Sequence, residues 1–430
     1  MMGAYRIAAS AAAPALRLLL NARLRAGKED GARLSERFGV ASAPRPPGPL
    51  LWIHAASNGE ARSALGLLSR LLESNPRLHV LFTTFTLTAA RMLAESLPPR
   101  ALHQFVPLDV PAWIDRFLDH WRPDAALWIE GELWPNLISR TAARGVPMAL
   151  VNARISTRSF ARWRRTGAWL QPPVDAFRVC LAQSPADATR LAALGGRSPR
   201  FLGHLKFDGA ELQADARALQ ELRHAITGRP AWLAASTHPG EEEIIIGAHR
   251  RLAAVWPDLL TVLVPRHARR GNEVAELLER GGLSFARRSR GEMPTPRNAI
   301  YLADTMGELG VFYRLAPIAF VGASLVSKGG QNPLEAAQLG CAICFGPHMT
   351  NCRDIADALI AAGAAVEVRD PESLATRIGQ MLSDGLARER AGAAAREVAA
   401  TGRGATERVL EALQPILSAL SAPAVIHARA

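Results

Sequence analysis

The chain has 430 residues, more than one ordinary hydrophobic core accommodates, so two domains are expected. With 49% hydrophobic and 21% charged residues it reads as globular rather than disordered, and four cysteines are too few for a disulfide framework. The formal net charge of +12 suits an anionic partner, either a phosphorylated substrate, a membrane surface or nucleic acid. No clustered Lys/Arg module of a nucleic-acid-binding type is present, which argues against the last, and no signature of an obligate protein partner stands out.

The first segment, 1–28, is apolar from Ile7 to Leu20 but interrupted by Pro14 and Arg17, and it is shorter than a bilayer span. Arg6, Arg17, Arg23, Arg25 and Lys28 surround it. Arg17 spoils the uninterrupted run of a secretory signal. Two readings remain open: an interfacial helix with Leu16, Leu18, Leu19 and Leu20 in lipid, or a helix packed on the first domain.

Beyond a Pro-rich stretch at 44–48, short apolar runs at 50–54, 80–84, 125–129, 148–151 and 179–182 alternate with amphipathic segments such as 61–72 and 134–144. A second series follows at 231–235, 259–264, 299–302, 318–321 and 342–345, with helix-like segments at 241–256, 274–279 and 333–339. This alternation predicts βαβ units on parallel sheets. The two series open alike, Trp52-Ile-His-Ala-Ala-Ser-Asn-Gly-Glu60 against Trp232-Leu-Ala-Ala-Ser-Thr-His-Pro-Gly-Glu241. The fold class is therefore α/β: two Rossmann-like domains, 29–215 and 216–430, expected to face each other across a cleft. The last helix, 406–420, is expected to pack back on the first domain. Within the second domain, Cys341 and Cys344 form a C-x-x-C inside an apolar run, where residues three apart point to opposite faces. Core cysteines fit that better than a metal pair.

In open α/β sheets ligands bind at the carboxyl ends of the strands, which directs attention to the residues there. Glu60 starts a helix after the first strand, where backbone N–H groups favour the anion and would keep it ionised as a general base. A purely capping role remains the alternative. Glu130-Gly-Glu-Leu-Trp-Pro-Asn136 ends another strand, with Glu130 and Glu132 on one side if the strand persists. In the second half, Pro265-Arg-His267, Asp304-Thr-Met-Gly-Glu308 and Gly322–Glu335 lie at strand ends. The last is a glycine-rich loop before a helix opened by Pro333, able to bring backbone amides to a phosphate. Glu335 is placed to accept hydrogen bonds from ribose hydroxyls. Arg154, Arg158, Arg162 and Arg165 recur at helical spacing near Phe160, Trp163 and Trp169, either a lipid-phosphate face or a solvated one.

In this order and spacing the segments 34–39, 54–60, 130–136, 152–156, 203–208, 265–267, 304–308 and 329–335 resemble the Kdo (3-deoxy-D-manno-octulosonic acid) transferases of lipopolysaccharide biosynthesis, over nearly the whole chain. The resemblance implies a GT-B-type, inverting enzyme that moves Kdo from CMP-Kdo to a lipid A precursor, lipid IVA, at the cytoplasmic side of the cell inner membrane. It implies Glu60 as base, Glu130 and Lys206 as stabilisers of the transition state, and no metal or other cofactor. It further implies Pro265, Arg266, Met306, Gly307, Glu308, Asn332, Pro333, Leu334 and Glu335 around CMP. Gln331, Asn58 and Gly131 depart from the family's usual residues. Another GT-B enzyme acting on a UDP-sugar, a transferase or an epimerase, is the alternative.

Overall fold

A computed structural model describes residues 2–166, 173–209 and 211–421. Among them, strands form two seven-stranded parallel sheets. The first holds β1 (Leu50–His54), β2 (His79–Thr84), β3 (Ala101–Phe105), β4 (Ala125–Ile129), β5 (Met148–Ala153), β6 (Val179–Ala182) and β7 (Arg200–Phe201), in the order β3-β2-β1-β4-β5-β6-β7. The second holds β8 (Ala231–Thr237), β9 (Leu260–Pro265), β10 (Phe285–Arg287), β11 (Ile300–Leu302), β12 (Ile318–Val321), β13 (Ala342–Phe345) and β14 (Ala365–Glu367), in the order β10-β11-β9-β8-β12-β13-β14. The central strands β1, β4, β8 and β12 are buried almost throughout, as strands covered by helices on both faces must be. Strand order reverses between β1 and β4 in one sheet and between β8 and β12 in the other. These are the points where such sheets bind ligands.

Helix Asn58–Ser74 shows how sequence sets the packing. Ser57 and Glu60 form a reciprocal capping box at its start, and Ala61, Ala64, Leu67, Leu68, Leu71 and Leu72 make one buried stripe against the first sheet. The final helix, Ala405–Ser421, adds Val409, Leu413, Ile416 and Leu420 to the same core cluster. At about 1.5–3 kcal/mol for each buried aliphatic side chain, this helix is a substantial part of that core.

The chain forms two compact units, Met1–Gly209 with Arg403–Ala430, and Ala210–Gly402. The division falls at 209/210 rather than the expected 215/216. Glu211 pairs with Arg314 at 2.6 Å and Arg314 Nη1 donates to the Leu212 carbonyl. Gly310 lies so close to the Gln213 carbonyl that a Cβ would fall 2.1 Å from its oxygen. These contacts hold the stretch after 210 to the second unit.

Residues 1–28 are likewise part of the first unit rather than a segment apart. They form helices Met2–Ala11 and Ala13–Arg25, with Pro14 in the first turn of the second. Leu20 is buried and so is not free for lipid, and Leu16 is half-buried. Ile7 (73% exposed), Leu18 (71%) and Leu19 (53%) do face outward. Arg17 lies over the rings of Phe38 and Trp113. No helix among the described residues is long and apolar enough to cross a membrane.

The 34–39 segment is a brace. Buried Arg37 lies between the rings of Phe85 and Phe105, pairs with Glu29 at 2.8 Å, and donates to the Phe85 and Val106 carbonyls beyond β2 and β3. Buried Glu36 accepts from Arg33, Ser42 Oγ and the Phe105 amide. Cys341 and Cys344 are buried free thiols, Cys341 Sγ lying 3.4 Å from the Tyr313 carbonyl, and burial pushes both up to about 12.

Candidate active site

Glu60 and Glu130 come from adjacent strand ends, β1 and β4, at the reversal point of the first sheet. Glu60 Oε2 accepts from the Ala56 amide at 2.6 Å and the Ser57 amide at 3.2 Å, leaving Oε1 without a partner among the described residues. The helix N-terminus was expected to keep this carboxyl ionised, but burial outweighs it. Burial, then the nearby Glu130 charge, push Glu60 up from 4.5 to about 7 against the two amide bonds. Capping and reactivity are therefore not alternatives here: one oxygen caps the helix, and the group as a whole is poised to exchange a proton near neutral pH.

β4 ends at Ile129, so the expectation that Glu130 and Glu132 share a strand face fails. Glu130 has a left-handed backbone (φ 65°) that turns the chain away from the strand. Glu132 instead accepts from Trp134 Nε1 at 2.9 Å. Asn152, on β5, is also left-handed (φ 54°) and its amide donates toward Glu130 Oε1 at 3.4 Å. A non-glycine residue held there stores strain that recurs at functional sites. Gly131 passes so close to the Arg154 carbonyl that a Cβ would lie 2.6 Å from the oxygen.

Lys206 Nζ lies 3.9 Å from Glu130 Oε1. Two residues not singled out from sequence place it. Buried His204 accepts the Lys206 amide at Nδ1 (3.1 Å), and its Nε2 faces the Gln183 side-chain amide. Burial and the charges of Lys206 and Arg154 hold His204 at about 3, so it is a neutral cap on the turn. Asp208 closes the same turn from the other side, accepting the amides of Gly404 and Thr406 at the start of the final helix. Nothing in residue spacing signals the His204–Gln183 pair, because 21 residues separate them.

On the second unit, Pro265 ends β9 and the Arg266 amide donates to the Thr237 carbonyl, leaving the Arg266 side chain half-buried beside the end of β8. Arg266, Arg270 and Lys328 all lower His238, after burial and His267, to about 4. Arg270 is paired with Glu242 and Glu273. Arg266 and exposed Lys328 thus form a cationic rim around a neutral imidazole. Met306 is 66% exposed at a tip made by left-handed Gly307. Glu308 pairs with Arg288 at 2.5 Å, which holds it below the ordinary carboxylate range.

The glycine-rich loop differs from expectation at its start, while the helix opened by Pro333 is present as expected. The amides of Ala323, Ser324 and Leu325 do not point to a ligand: they converge on the buried Glu241 carboxylate at 2.7–3.0 Å, with the His238 amide as a fourth donor. The helix after the loop is short, Leu334–Gln338, with Pro333 as its cap residue. Asn332 Oδ1 accepts the Leu334 amide, and Leu334 is 1% exposed, so its side chain belongs to the core and offers no ligand surface. Glu335 is half-buried in the first turn.

The arginine stripe is partly as expected. Arg158, Arg162 and Arg165 are exposed on helix Thr157–Thr166, while Arg154 is half-buried before it. Phe160 and Trp163 pack against the core of the first unit instead of flanking the arginines outward. Trp169 lies outside the described residues. Among the described residues no group of three or more His, Cys, Asp or Glu could hold a metal ion.

A family model described as 3-deoxy-D-manno-octulosonic-acid transferase (kdotransferase) matches residues 32–209. The 3-deoxy-D-manno-octulosonic acid transferase of Haemophilus influenzae is 38% identical over 392 residues, covering 90% of this chain and 91% of its own. The chain belongs to the Kdo transferase family. The Bordetella pertussis member is also 38% identical, over 96% of this chain and 98% of its own. Among solved structures, a UDP-GlcNAc 2-epimerase from Neisseria meningitidis bound to UDP-GlcNAc has a TM-score of 0.60 at 14% identity, covering 85% of this chain and 100% of its own. That likeness concerns the GT-B-type fold alone. Family membership makes the protein a glycosyltransferase that transfers Kdo.

Proposed function

We propose that this chain transfers Kdo from CMP-Kdo to the lipid A precursor lipid IVA, with inversion. The observation that carries the reading is the Glu60–Glu130–Lys206 group at the reversal point of the first sheet, with Glu60 poised near neutral pH. Glu60 takes the proton of the acceptor hydroxyl as its oxygen bonds to the anomeric carbon of Kdo. The bond from that carbon to the phosphate oxygen breaks, and its electron pair leaves with CMP. Lys206 and Glu130 act on charge developing around the reacting centre. Arg266 and Lys328 suit the CMP phosphate, and the exposed Met306–Gly307 tip suits the base. Incubating purified protein with CMP-Kdo and tetraacylated lipid A precursor should yield product heavier by the mass of Kdo. Transfer from UDP-sugars but not CMP-Kdo would favour the UDP-sugar alternative instead. Arg266→Ala should weaken CMP binding at least tenfold by calorimetry, as loss of a charged contact typically does. Unchanged affinity would remove Arg266 from the donor site.

The same proposal brings the protein to a membrane surface, because its acceptor is an amphiphile, and the family resemblance implies the cytoplasmic face of the inner membrane. Two surfaces support that: exposed Ile7, Leu18 and Leu19, and the face of Arg158, Arg162 and Arg165. Each basic residue near an anionic surface contributes about 1 kcal/mol, screened by salt; the aliphatic contribution is not screened. Replacing Ile7, Leu18 and Leu19 with serine should remove the salt-resistant part of binding to anionic liposomes. Charge reversal at the three arginines should remove the salt-sensitive part. Wild-type sedimentation by both variants would show that neither surface meets the membrane.

A further inference from the structure

Tyr5 and Arg6, on the first helix, reach both ends of helix Pro135–Ala143, whose start carries the 130–136 loop. Tyr5 Oη donates to Asp109 Oδ2 at 2.8 Å. The same carboxylate accepts the amides of Asn136 (3.1 Å) and Leu137 (2.8 Å), and the Asp109 carbonyl accepts Asn136 Nδ2 at 2.8 Å. Asn136 is fully buried. Asp109 therefore does the work of an N-cap from outside the helix: Trp134, the residue in the cap position, offers no side-chain oxygen, and Pro135 follows it. At the other end, Arg6 lines a cavity of about 290 Å³ with Ser139, Arg140, Ala143 and Arg144. The last two arginines brace this helix to the preceding one through Asp115 and Asp119.

Asp109 alone would serve as a cap. The phenol adds a third donor, fixing which oxygen faces which amide and thereby the direction in which the chain leaves Asn136 toward Trp134, Glu132 and Glu130. The backbone of this stretch is held at Glu130, whose amide donates to the Val151 carbonyl at 3.0 Å, and by buried Leu133 and the packing of Trp134 on His54 and Phe85. The Glu130 side chain is held loosely: its contacts with Asn152 (3.4 Å) and Lys206 (3.9 Å) are long. We propose that Tyr5 is a positioning residue for transfer: through Asp109 and Asn136 it sets the placement of Glu130, so that the seating of the first helix governs turnover. The inference rests on the reading that Glu130 takes part in Kdo transfer.

The test is Tyr5→Phe in the full chain, which keeps the ring and removes one hydroxyl. Turnover should fall about five- to tenfold, the scale of one ordinary hydrogen bond, because the hydroxyl acts on Glu130 only through Asp109 and Asn136. KM for CMP-Kdo and the thermal midpoint should hold, while amide hydrogen exchange at 130–137 should rise. In a Glu130→Gln background Tyr5→Phe should cause little further loss, since both changes act through one carboxylate. Unchanged turnover and exchange, or losses that multiply in full in the double variant, would overturn the proposal. If the unaltered protein does not transfer Kdo from CMP-Kdo, the functional reading falls, and the exchange measurement alone still decides whether Tyr5 holds the loop.

Discussion

Glu60→Gln is expected to lower Kdo transfer by about 10²–10⁴-fold, the usual contribution of a general base, while making the protein more stable above neutral pH. Both effects have one cause. The carboxyl is half-buried near Glu130 and raised from 4.5 to about 7, so the folded state holds its proton more tightly than the unfolded chain does. Its contribution to stability is fully present below about pH 4.5 and is lost as pH rises through about 7, because the native protein must then carry a buried charge. The interval corresponds to about 3 kcal/mol as an upper bound. Glutamine retains an oxygen for the Ala56 and Ser57 amides and never ionises. Denaturant unfolding at pH 5 and pH 8.5 should show the unaltered protein losing stability that the variant keeps. Wild-type kcat/KM should rise with pH through a midpoint near 7, and that limb should be missing from the residual activity of the variant. A variant with normal turnover would remove Glu60 as the base; equal pH dependence of unfolding would show that its burial is not felt.

Glu241→Ala should have the opposite character, costing about 3–5 kcal/mol of stability. Glu241 occupies the place in the second unit that Glu60 occupies in the first, yet it is fully buried and accepts four backbone amides, three of them from the loop after β12. Alanine leaves those donors buried without an acceptor, at about 1–3 kcal/mol for each that water does not reach. The loop carrying Lys328 would lose its anchor, so CMP binding should weaken together with unfolding stability. Glu241→Gln keeps one acceptor oxygen and should fall between. An alanine variant with an unchanged midpoint would show that the loop holds its own shape.

The contrast between these two glutamates marks how far residue order reaches. Both were legible as Gly-Glu at a strand-to-helix turn, and the capping role was legible for both. Which one keeps a free oxygen beside a second carboxylate depends on what the next strand of the sheet delivers there. At β4 that is Glu130; at β12 it is a run of backbone amides that bond to the Glu241 carboxylate. The strands follow a similar rule. The central ones, buried on both faces, read as continuous apolar runs. The four not anticipated, β3, β7, β10 and β14, are the outermost strands of the two sheets. Their sequences, such as Arg200–Phe201 and Phe285–Arg287, mix charge with apolar residues because one side is not covered by a neighbour. Lys206 was visible through family resemblance, whereas His204 and Gln183, which orient it, carry no local pattern. Phe160 and Trp163 suggested an outward aromatic face because helical spacing gives relative angles, not the direction of the core.

The return of the final helix has a consequence for biosynthesis. The first unit begins at the N-terminus, but Val409, Leu413, Ile416 and Leu420 belong to its core, and Asp208 waits for the Gly404 and Thr406 amides. Between Gly209 and Arg403 the whole second unit must emerge. At 5–20 residues per second, the ribosome takes on the order of ten to forty seconds over that stretch. Throughout it, the nascent first sheet has an unfilled apolar face under the strand ends that carry Glu60 and Glu130. Vectorial folding is thus denied to the domain that is made first. The first unit becomes complete only after the second has been synthesised, so the core beneath Glu60 and Glu130 is the last part of the protein to close.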